Sequence, residues 1–285
     1  MDNVAIITVA YNPDLDEIRQ NINSYVNQAG LVILVDNSDD IDKIRCMKKA
    51  FSDSKQVHLI SLGGNYGIAR AQNIGFEFAL GRGFNFFIEM DQDSSLPNRY
   101  IERIHQRYIS LTDSGINVAG IGPTTEFRSE DLDDSTNSEC KEAKTTLSSG
   151  FFSSRDAFIA IGGKDEDLFI DLVDWDWCWR AWDQGYRVFV DHSLVICHRS
   201  GDGHKKIGYW YFGVSSPFRL YYQFRNSLYM MRKGYVPFSW KLKRLFILLT
   251  KPFIYLIFYD KKILRLKYIF RAILDFLKNK KGSLT

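Results

Sequence analysis

Four short apolar runs near the start of the chain constrain its fold more than any other feature. They are Val4–Ala10, Leu31–Asp36, Val57–Ser61 and residues 85–90. Each has the length of a strand, and each is almost continuously apolar, as strands covered on both faces are. Between them lie stretches with helical patterning: 14–28 behind Pro13, a second ending near Phe51, and a third ending near Leu80. Strands alternating with helices of this length make βαβ units, and hence a mostly parallel, twisted, Rossmann-like sheet flanked by helices.

The rhythm then changes. A helix over 98–111 and a strand over 118–121 lead into an acidic, Ser/Asp/Asn-rich segment, 126–142, that reads as a loop or insertion. Strand character resumes over 145–153, a Trp-rich helix covers 173–184, and strands are predicted at 186–190 and 194–198. From Pro217 onward the pattern is helical and basic. The simplest partition is a catalytic domain over 1–235 and a helical extension over 236–285.

Charge follows the same division. Residues 241–285 hold 12 Lys/Arg and 2 Asp/Glu, a balance of +10, whereas residues 1–240 hold 25 and 32, a balance of −7. An acidic body with a basic tail points to an anionic partner for the tail. In the tail, Leu242, Leu245, Phe246, Leu249, Phe253, Leu256 and Ile257 recur at helical spacing, followed by Ile263, Leu266, Ile269, Phe270, Ile273, Phe276 and Leu277. Basic amphipathic helices with aromatics lie in membrane interfaces, so an anionic membrane surface is the expected partner. Packing on the catalytic domain, or a homo-oligomer contact, is the alternative. The longest apolar stretch, 245–259, is broken by Lys251-Pro252 and is too short to span a bilayer. No pair among Cys46, Cys140, Cys178 and Cys197 has zinc or redox spacing, and Met1-Asp2-Asn3-Val4 does not begin a secretory signal. Reduced thiols in the cytoplasm, and no nucleic-acid partner, are expected.

The fourth run delivers Asp91-Gln92-Asp93 at its C-terminal end. In open parallel sheets, ligands bind just beyond the carboxyl ends of the strands. Two carboxylates there repel unless a cation intervenes, and oxygen ligands beside a phosphate-bearing substrate suit Mg²⁺ or Mn²⁺. Asp-x-Asp at a strand end is also ordinary loop chemistry, so its neighbours decide. The first strand ends in Tyr11-Asn12, the second in Asp36-Asn37, and the third in Gly63-Gly64-Asn65-Tyr66-Gly67, followed by Arg70. A ring to stack on a base, a carboxylate for a base N–H, an arginine for phosphate and a metal site together describe a nucleotide pocket. Asp36 also suits a turn or helix cap. The glycine loop lacks the G-x-G-x-x-G spacing and follows the third strand, which argues against a dinucleotide.

A second cluster runs from Phe169 to Arg180. Trp175, Trp179 and Trp182 share a helical face, and Asp176 and Arg180 are spaced for an ion pair. Asp174 falls in the first helical turn, where it is either a cap or a general base aimed at a hydroxyl. His198, at the end of an apolar strand, is either structural or a third metal ligand.

Together, Ile7-Thr8-Val9-Ala10-Tyr11-Asn12, Val35-Asp36-Asn37-Ser38, the run Asn65-x-Gly67-x-Ala69-x-Ala71-x-Asn73-x-Gly75, Asp91-Gln92-Asp93 and Leu168-Phe169-Ile170-Asp171-x-Val173-Asp174-x-Asp176-Trp177-Cys178 resemble the inverting family 2 glycosyltransferases of GT-A fold. The likeness is strongest to bacterial rhamnosyltransferases and covers about residues 3–235. It implies that Tyr11, Asp36, Asn65, Arg70 and Asp91 bind the nucleotide-sugar, that Asp93, Asp91 and His198 hold Mg²⁺ or Mn²⁺, and that Asp174 is the catalytic base. Val173 stands where the family motif often has Glu. Arg225-Asn226 resembles a subgroup signature of unassigned role. The resemblance further implies a dTDP-L-rhamnose donor, with a UDP-hexose as the alternative, and a lipid-linked saccharide acceptor at the inner face of a bacterial membrane. Three other classes compete: a nucleotidyltransferase, which would want a basic glycine-rich loop after the first strand; a glycan-binding relative without activity; and a membrane-surface scaffold.

Overall fold

The computed structural model describes residues 1–126, 139–198, 204–207, 210–213 and 215–284, with the backbone alone described at 125, 126, 198, 204–207 and 210–213. Its elements in chain order are β1 (Val4–Ala10), α1 (Leu15–Tyr25), β2 (Leu31–Asp36), α2 (Ile41–Phe51), β3 (Val57–Ser61), α3 (Ile68–Gly81), β4 (Phe86–Asp91) and β5 (Ser94–Ser95). There follow α4 (Tyr100–Asp113), β6 (Val118–Glu126), β7 (Cys140–Ala143), β8 (Phe152–Ser154), α5 (Arg155–Ile161), α6 (Val173–Asp183) and β9 (Arg187–His198). A hairpin of β10 (His204–Ile207) and β11 (Trp210–Gly213) precedes α7 (Pro217–Arg232), α8 (Phe238–Phe258) and α9 (Lys262–Leu277).

Among the described residues the main sheet has nine strands, in the order β3-β2-β1-β4-β8-β6-β9-β5, with β7 also on β9. The first four are parallel, as the apolar runs predict; β8 then enters antiparallel to both β4 and β6. All seven residues of β1 are buried, because helices cover both faces of the sheet. One face packs Ile18 and Ile22 of α1, Met47 of α2 and Ile101 and Ile104 of α4 against Ile6, Leu34 and Ile88. The other packs Ala71, Phe76 and Ala79 of α3, with α5 and α6, against Ile7, Ile33 and Val35. Gly75 sets how closely α3 approaches: a Cβ there would meet Ile7 Cγ2 at 2.4 Å. Asp14 and Asp40 cap α1 and α2 by accepting backbone N–H bonds, as aspartates preceding a helix do.

Several expected boundaries shift. The strands expected at 186–190 and 194–198 are one bulged strand, β9, whose polar interruption is a turn in which Ser193 N donates to Asp191 Oδ1 at 2.9 Å. Within the segment expected to be a loop, β6 extends to Glu126 and residues 140–143 pair with β9; residues 127–138 lie outside the described residues. Strand character at 145–153 narrows to β8, because Phe151 N turns back to Ser148 O.

The last three helices form a third layer. Leu220, Tyr221 and Phe224 of α7, Leu248 and Tyr255 of α8, and Ile269 and Ala272 of α9 share a core with Phe169 of the body. A smaller cluster joins Met230 and Val236 to Ala69, Leu168, Val173 and Trp179. Not all of the basic residues face outward. Arg244 donates to Ser227 Oγ, Lys251 to Gln223 Oε1, and Arg265 to Ser215 O. Lys243, Lys261, Lys262, Lys267 and Arg271 are exposed. So are Leu242, Leu245, Phe246, Leu249, Phe253 and Ile257, which leaves one side of α8 apolar and uncovered among the described residues. No helix among the described residues is long and apolar enough to cross a membrane.

Candidate active site

Parallel pairing brings the ends of β1 to β4 to one sheet edge, and local hydrogen bonds fasten them together. Tyr11 N donates to Gln92 Oε1 at 2.7 Å, and Tyr11 OH donates to Asp39 Oδ2 at 3.0 Å. Asn12, at a left-handed φ of 45°, donates from Nδ2 to Asp39 Oδ1. Asp36 is wholly buried, and its carboxylate accepts from Ser38 N and Ser61 Oγ, so it shapes the turn from beneath. The carboxylate at the rim is that of Asp39, which the sequence did not single out.

The glycine loop is tied to the same rim. Asn37 Nδ2 donates to Asn65 Oδ1 at 3.1 Å, Tyr66 N to Asn37 Oδ1, and Gly67 N to Asn65 Oδ1. Asn65 therefore orders the loop that precedes α3. Arg70 is exposed on the first turn of α3, its guanidinium 5.2 Å from the centre of the Tyr66 ring.

Acidic groups crowd the middle of the edge. Burial first, then Asp174, Asp93 and Glu89, push Asp91 up to about 8, with Arg219 opposing. Burial pushes Glu89 up to about 7, opposed chiefly by Lys164, whose Nζ lies 2.8 Å from Glu89 Oε1 with both side chains buried. Burial also raises Asp174, opposed by Lys164 and by Ser148, whose N–H points to Asp174 Oδ2 at 3.3 Å. Lys164 is held in turn by Asn73, which accepts from Lys164 N at 2.7 Å and donates to its carbonyl at 3.0 Å. Nothing local marks Lys164 in the sequence, because its partner lies on a distant strand.

Crowded carboxylates fit a hard divalent cation, since a positive charge would offset both the burial and the repulsion that raise Asp91. Among the described residues no three His, Cys, Asp or Glu side chains are grouped to enclose a metal. Asp91 and Asp93 would instead share it with substrate phosphates, as Mg²⁺ sites commonly do. The backbone of His198 pairs with Ser94, the residue after Asp93, while the side chain of His198 lies outside the described residues.

The turn before α6 carries Asp174 to this edge. Phe169 has φ 65° and ψ −62°, and Ile170 N donates to Leu168 O at 2.7 Å, a strained γ-turn. Asp171 and Leu172 follow at φ 66° and 67°. Such conformations cost non-glycine residues about 1–3 kcal/mol each. Asp171 is paired with Arg219 at 3.0 Å. Asp176 is fully buried and engaged by Arg180, Lys233 and Tyr235. The expected ion pair with Arg180 is thus present. The expected tryptophan face divides: Trp175 and Trp179 pack with Trp240 of α8, whereas Trp182 lies under Lys144 and donates to Ala143 O near β7.

Comparison with known proteins agrees with this architecture. Residues 5–155 match the model of glycosyl transferase family 2. The dTDP-rhamnosyl transferase RfbF of Shigella flexneri is 32% identical over 249 residues, covering 82% of each chain. Among solved structures, the mannosyltransferase PcManGT of Pyrobaculum calidifontis, in complex with GDP-Man and Mn²⁺, superposes with a TM-score of 0.60 at 13% identity, covering 98% of this chain and 88% of that one. S. aureus TarS 1–349 in complex with UDP-GlcNAc gives 0.57 at 14%, covering 98% and 81%. Against a longer TarS chain the TM-score is again 0.57 at 14% identity, covering 97% of this chain, which spans 49% of that one. The chain belongs to glycosyl transferase family 2 and has the GT-A fold. It is a sugar-transferring enzyme.

Proposed function

We propose that the enzyme moves L-rhamnose from dTDP-L-rhamnose to a hydroxyl of a lipid-linked saccharide, with inversion at the anomeric carbon. The observation that carries the chemistry is the meeting of Asp91, Asp93 and Asp174 at one open sheet edge, near enough for the charges of Asp174 and Asp93 to add to the burial that raises Asp91. The donor reading leans on the identity to a dTDP-rhamnosyl transferase across most of both chains.

Tyr11 and the Asp36–Asp39 turn form the side of the cleft that receives the base, and Asn65 holds the loop beneath the nucleotide. Arg70, exposed on the first turn of α3, meets the diphosphate. Asp91 and Asp93 would hold Mg²⁺ or Mn²⁺, with His198 as the third candidate ligand. When bound, the cation offsets charge that develops on the departing diphosphate. Asp174 accepts the proton of the acceptor hydroxyl as that oxygen attacks the anomeric carbon from the face opposite the leaving group. Burial raises Asp174 above the ordinary carboxylate value, the direction that makes it a stronger base. One displacement suffices, and no sugar becomes attached to the protein.

Residues 1–235 form the catalytic unit in this reading, and 236–285 a helical extension. The apolar side of α8, with Lys243 exposed on the same helix and Lys261 and Lys262 exposed just after it, seats the enzyme peripherally on the anionic inner face of the bacterial membrane, where a lipid-linked acceptor is presented. The deciding experiment offers dTDP-rhamnose, UDP-glucose, UDP-galactose and GDP-mannose with Mn²⁺ and follows release of nucleoside diphosphate. Preferential turnover of dTDP-rhamnose is expected. A preference for a UDP-hexose overturns the donor assignment, and turnover of none of them overturns the reaction.

A further inference from the structure

Asp174 is aimed by a turn that does not hold its own shape. Phe169, Asp171 and Leu172 all adopt positive φ without being glycine. Such a turn persists where its surroundings over-determine it. Here two side chains of α7 supply most of the side-chain hydrogen bonds to it.

We propose that Arg225 and Asn226 are positioning residues that clamp this turn and so fix Asp174 in its working orientation. The inference rests on Asp174 being the base. Asn226 Nδ2 donates to the carbonyls of Leu168 at 2.8 Å, Ile170 at 2.7 Å and Asp171 at 3.1 Å. Its Oδ1 accepts from Arg225 Nε at 3.1 Å and Nη2 at 3.0 Å. Arg225 Nη2 reaches the carbonyls of Asp167 and Leu168, and Nη1 reaches Gly282 O at 2.6 Å. Both side chains are fully buried.

The chemistry of the clamp argues for a specific task. A permanent cation is buried against neutral oxygens, where a carboxylate would repay its lost hydration more fully. Carbonyls are what a turn needs engaged if its carbonyls are to stay pointed inward. The other side of the turn is held too: Ile68 N, at the start of α3, donates to Phe169 O at 2.8 Å. Past α9, Gly282 N donates to Asp167 O and Lys281 pairs with Asp167 at 2.6 Å. The turn is therefore gripped by the glycine-loop helix, by α7 and by the segment after α9. Released, its residues would relax towards negative φ, and the first turn of α6 would rotate Asp174 away from Ser148.

The test uses the full chain with Asn226→Asp, which keeps the volume but exchanges the donor for an acceptor facing three carbonyls, and Arg225→Lys, which keeps the charge without the fork. Steady-state rates of nucleoside diphosphate release from dTDP-rhamnose with Mn²⁺, dTDP-rhamnose affinity by calorimetry and thermal melts are measured on each, beside Ile104→Val as a core variant remote from the turn. For at least one clamp variant kcat is expected to fall about 30-fold or more, the scale of a base displaced by an ångström, with donor affinity held within about threefold. Ile104→Val should lower the melting temperature with kcat retained. Near wild-type kcat in both folded variants, a parallel loss of donor affinity and kcat, an equal kcat loss in Ile104→Val, or loss of the cooperative melt in both clamp variants would each overturn the proposal. Absence of turnover in the wild type, or full activity of Asp174→Asn, would instead remove the reading on which it rests.

Discussion

Gly67 and Phe169 occupy adjoining space so closely that a Cβ on Gly67 would lie 2.6 Å from the Phe169 ring and 2.7 Å from its carbonyl oxygen. Gly67 also sits at φ 88°, a conformation that L side chains resist. This contact joins the loop assigned to the donor to the turn that bears Asp174. Gly67→Ala is expected to lower stability by about 1–3 kcal/mol. It should weaken donor binding and turnover together, because the added methyl sits on the donor loop itself and presses on the turn at the same time. A melt and a donor titration check this; an unchanged protein would mean the two loops yield independently.

Chelation should silence the enzyme. Asp91 and Asp93 are the oxygen donors nearest the diphosphate in the proposed arrangement. EDTA is expected to abolish transfer, with Mn²⁺ or Mg²⁺ restoring it. Asp93→Ala should remain folded and bind donor more weakly. Full activity in chelator would exclude the metal role.

Stability should respond to pH through Asp91, whose folded pKa of about 8 stands far above its ordinary 3.8. A carboxyl raised on folding stabilises the fold relative to its charged form below its unfolded pKa. That contribution fades as pH rises from about 4 through 8. In chelator, the melting-temperature advantage of Asp91→Asn over wild type should therefore widen between pH 5 and pH 8, by about 2 °C or more. Mn²⁺ should narrow it, since a cation favours the charged carboxylate. Parallel melting curves for the two proteins across this range would contradict the crowding of carboxylates at the edge.

Asp174→Asn keeps the size of the side chain and can still accept from Ser148 N. Turnover is expected to fall about 10²-fold or more, the scale of general-base catalysis, with donor affinity retained. Asp171 and Asp176 are the neighbouring alternatives. Asp171 is paired with Arg219, and Asp176 is fully buried with three partners. A near wild-type rate in Asp174→Asn would move the search to Asp171.

Full-length protein is expected to sediment with anionic vesicles at low salt and less so at high salt. Truncation near residue 240 is a poor probe of this, because it removes α9 and the Gly282 carbonyl that Arg225 engages. Phe246→Glu with Phe253→Glu alters the exposed side of α8 instead, where these rings are 69% and 66% exposed. The double variant should lose vesicle binding and keep turnover of a soluble donor. Unchanged sedimentation, or a change of oligomeric state in place of it, would assign this face to a second copy of the chain.

Much of this arrangement is legible along the chain. The four apolar runs mark β1 to β4, because a strand covered on both faces must be apolar at nearly every position. Parallel pairing then places Tyr11, Asp36, Asn65 and Asp91 near one edge without further information. Asp174, in the first turn of the Trp-rich helix, can be read from the helix pattern alone. Periodicity states that a residue is buried and is silent about what it meets. That Lys164 faces Glu89, 75 positions earlier, is decided by how α3 and Asn73 seat the loop after α5. The tertiary structure also turns Arg244, Lys251 and Arg265 inward while other basic residues of α8 and α9 stay exposed, since each inward cation finds an acceptor on or just before α7, far away in the sequence. Arg225 and Asn226 show the division most clearly. As sequence they are a two-residue signature on an amphipathic helix, with no task assigned to it. Folding buries them against five carbonyl bonds of a strained turn, and a conformation that no local propensity favours is held by contacts more than fifty residues away.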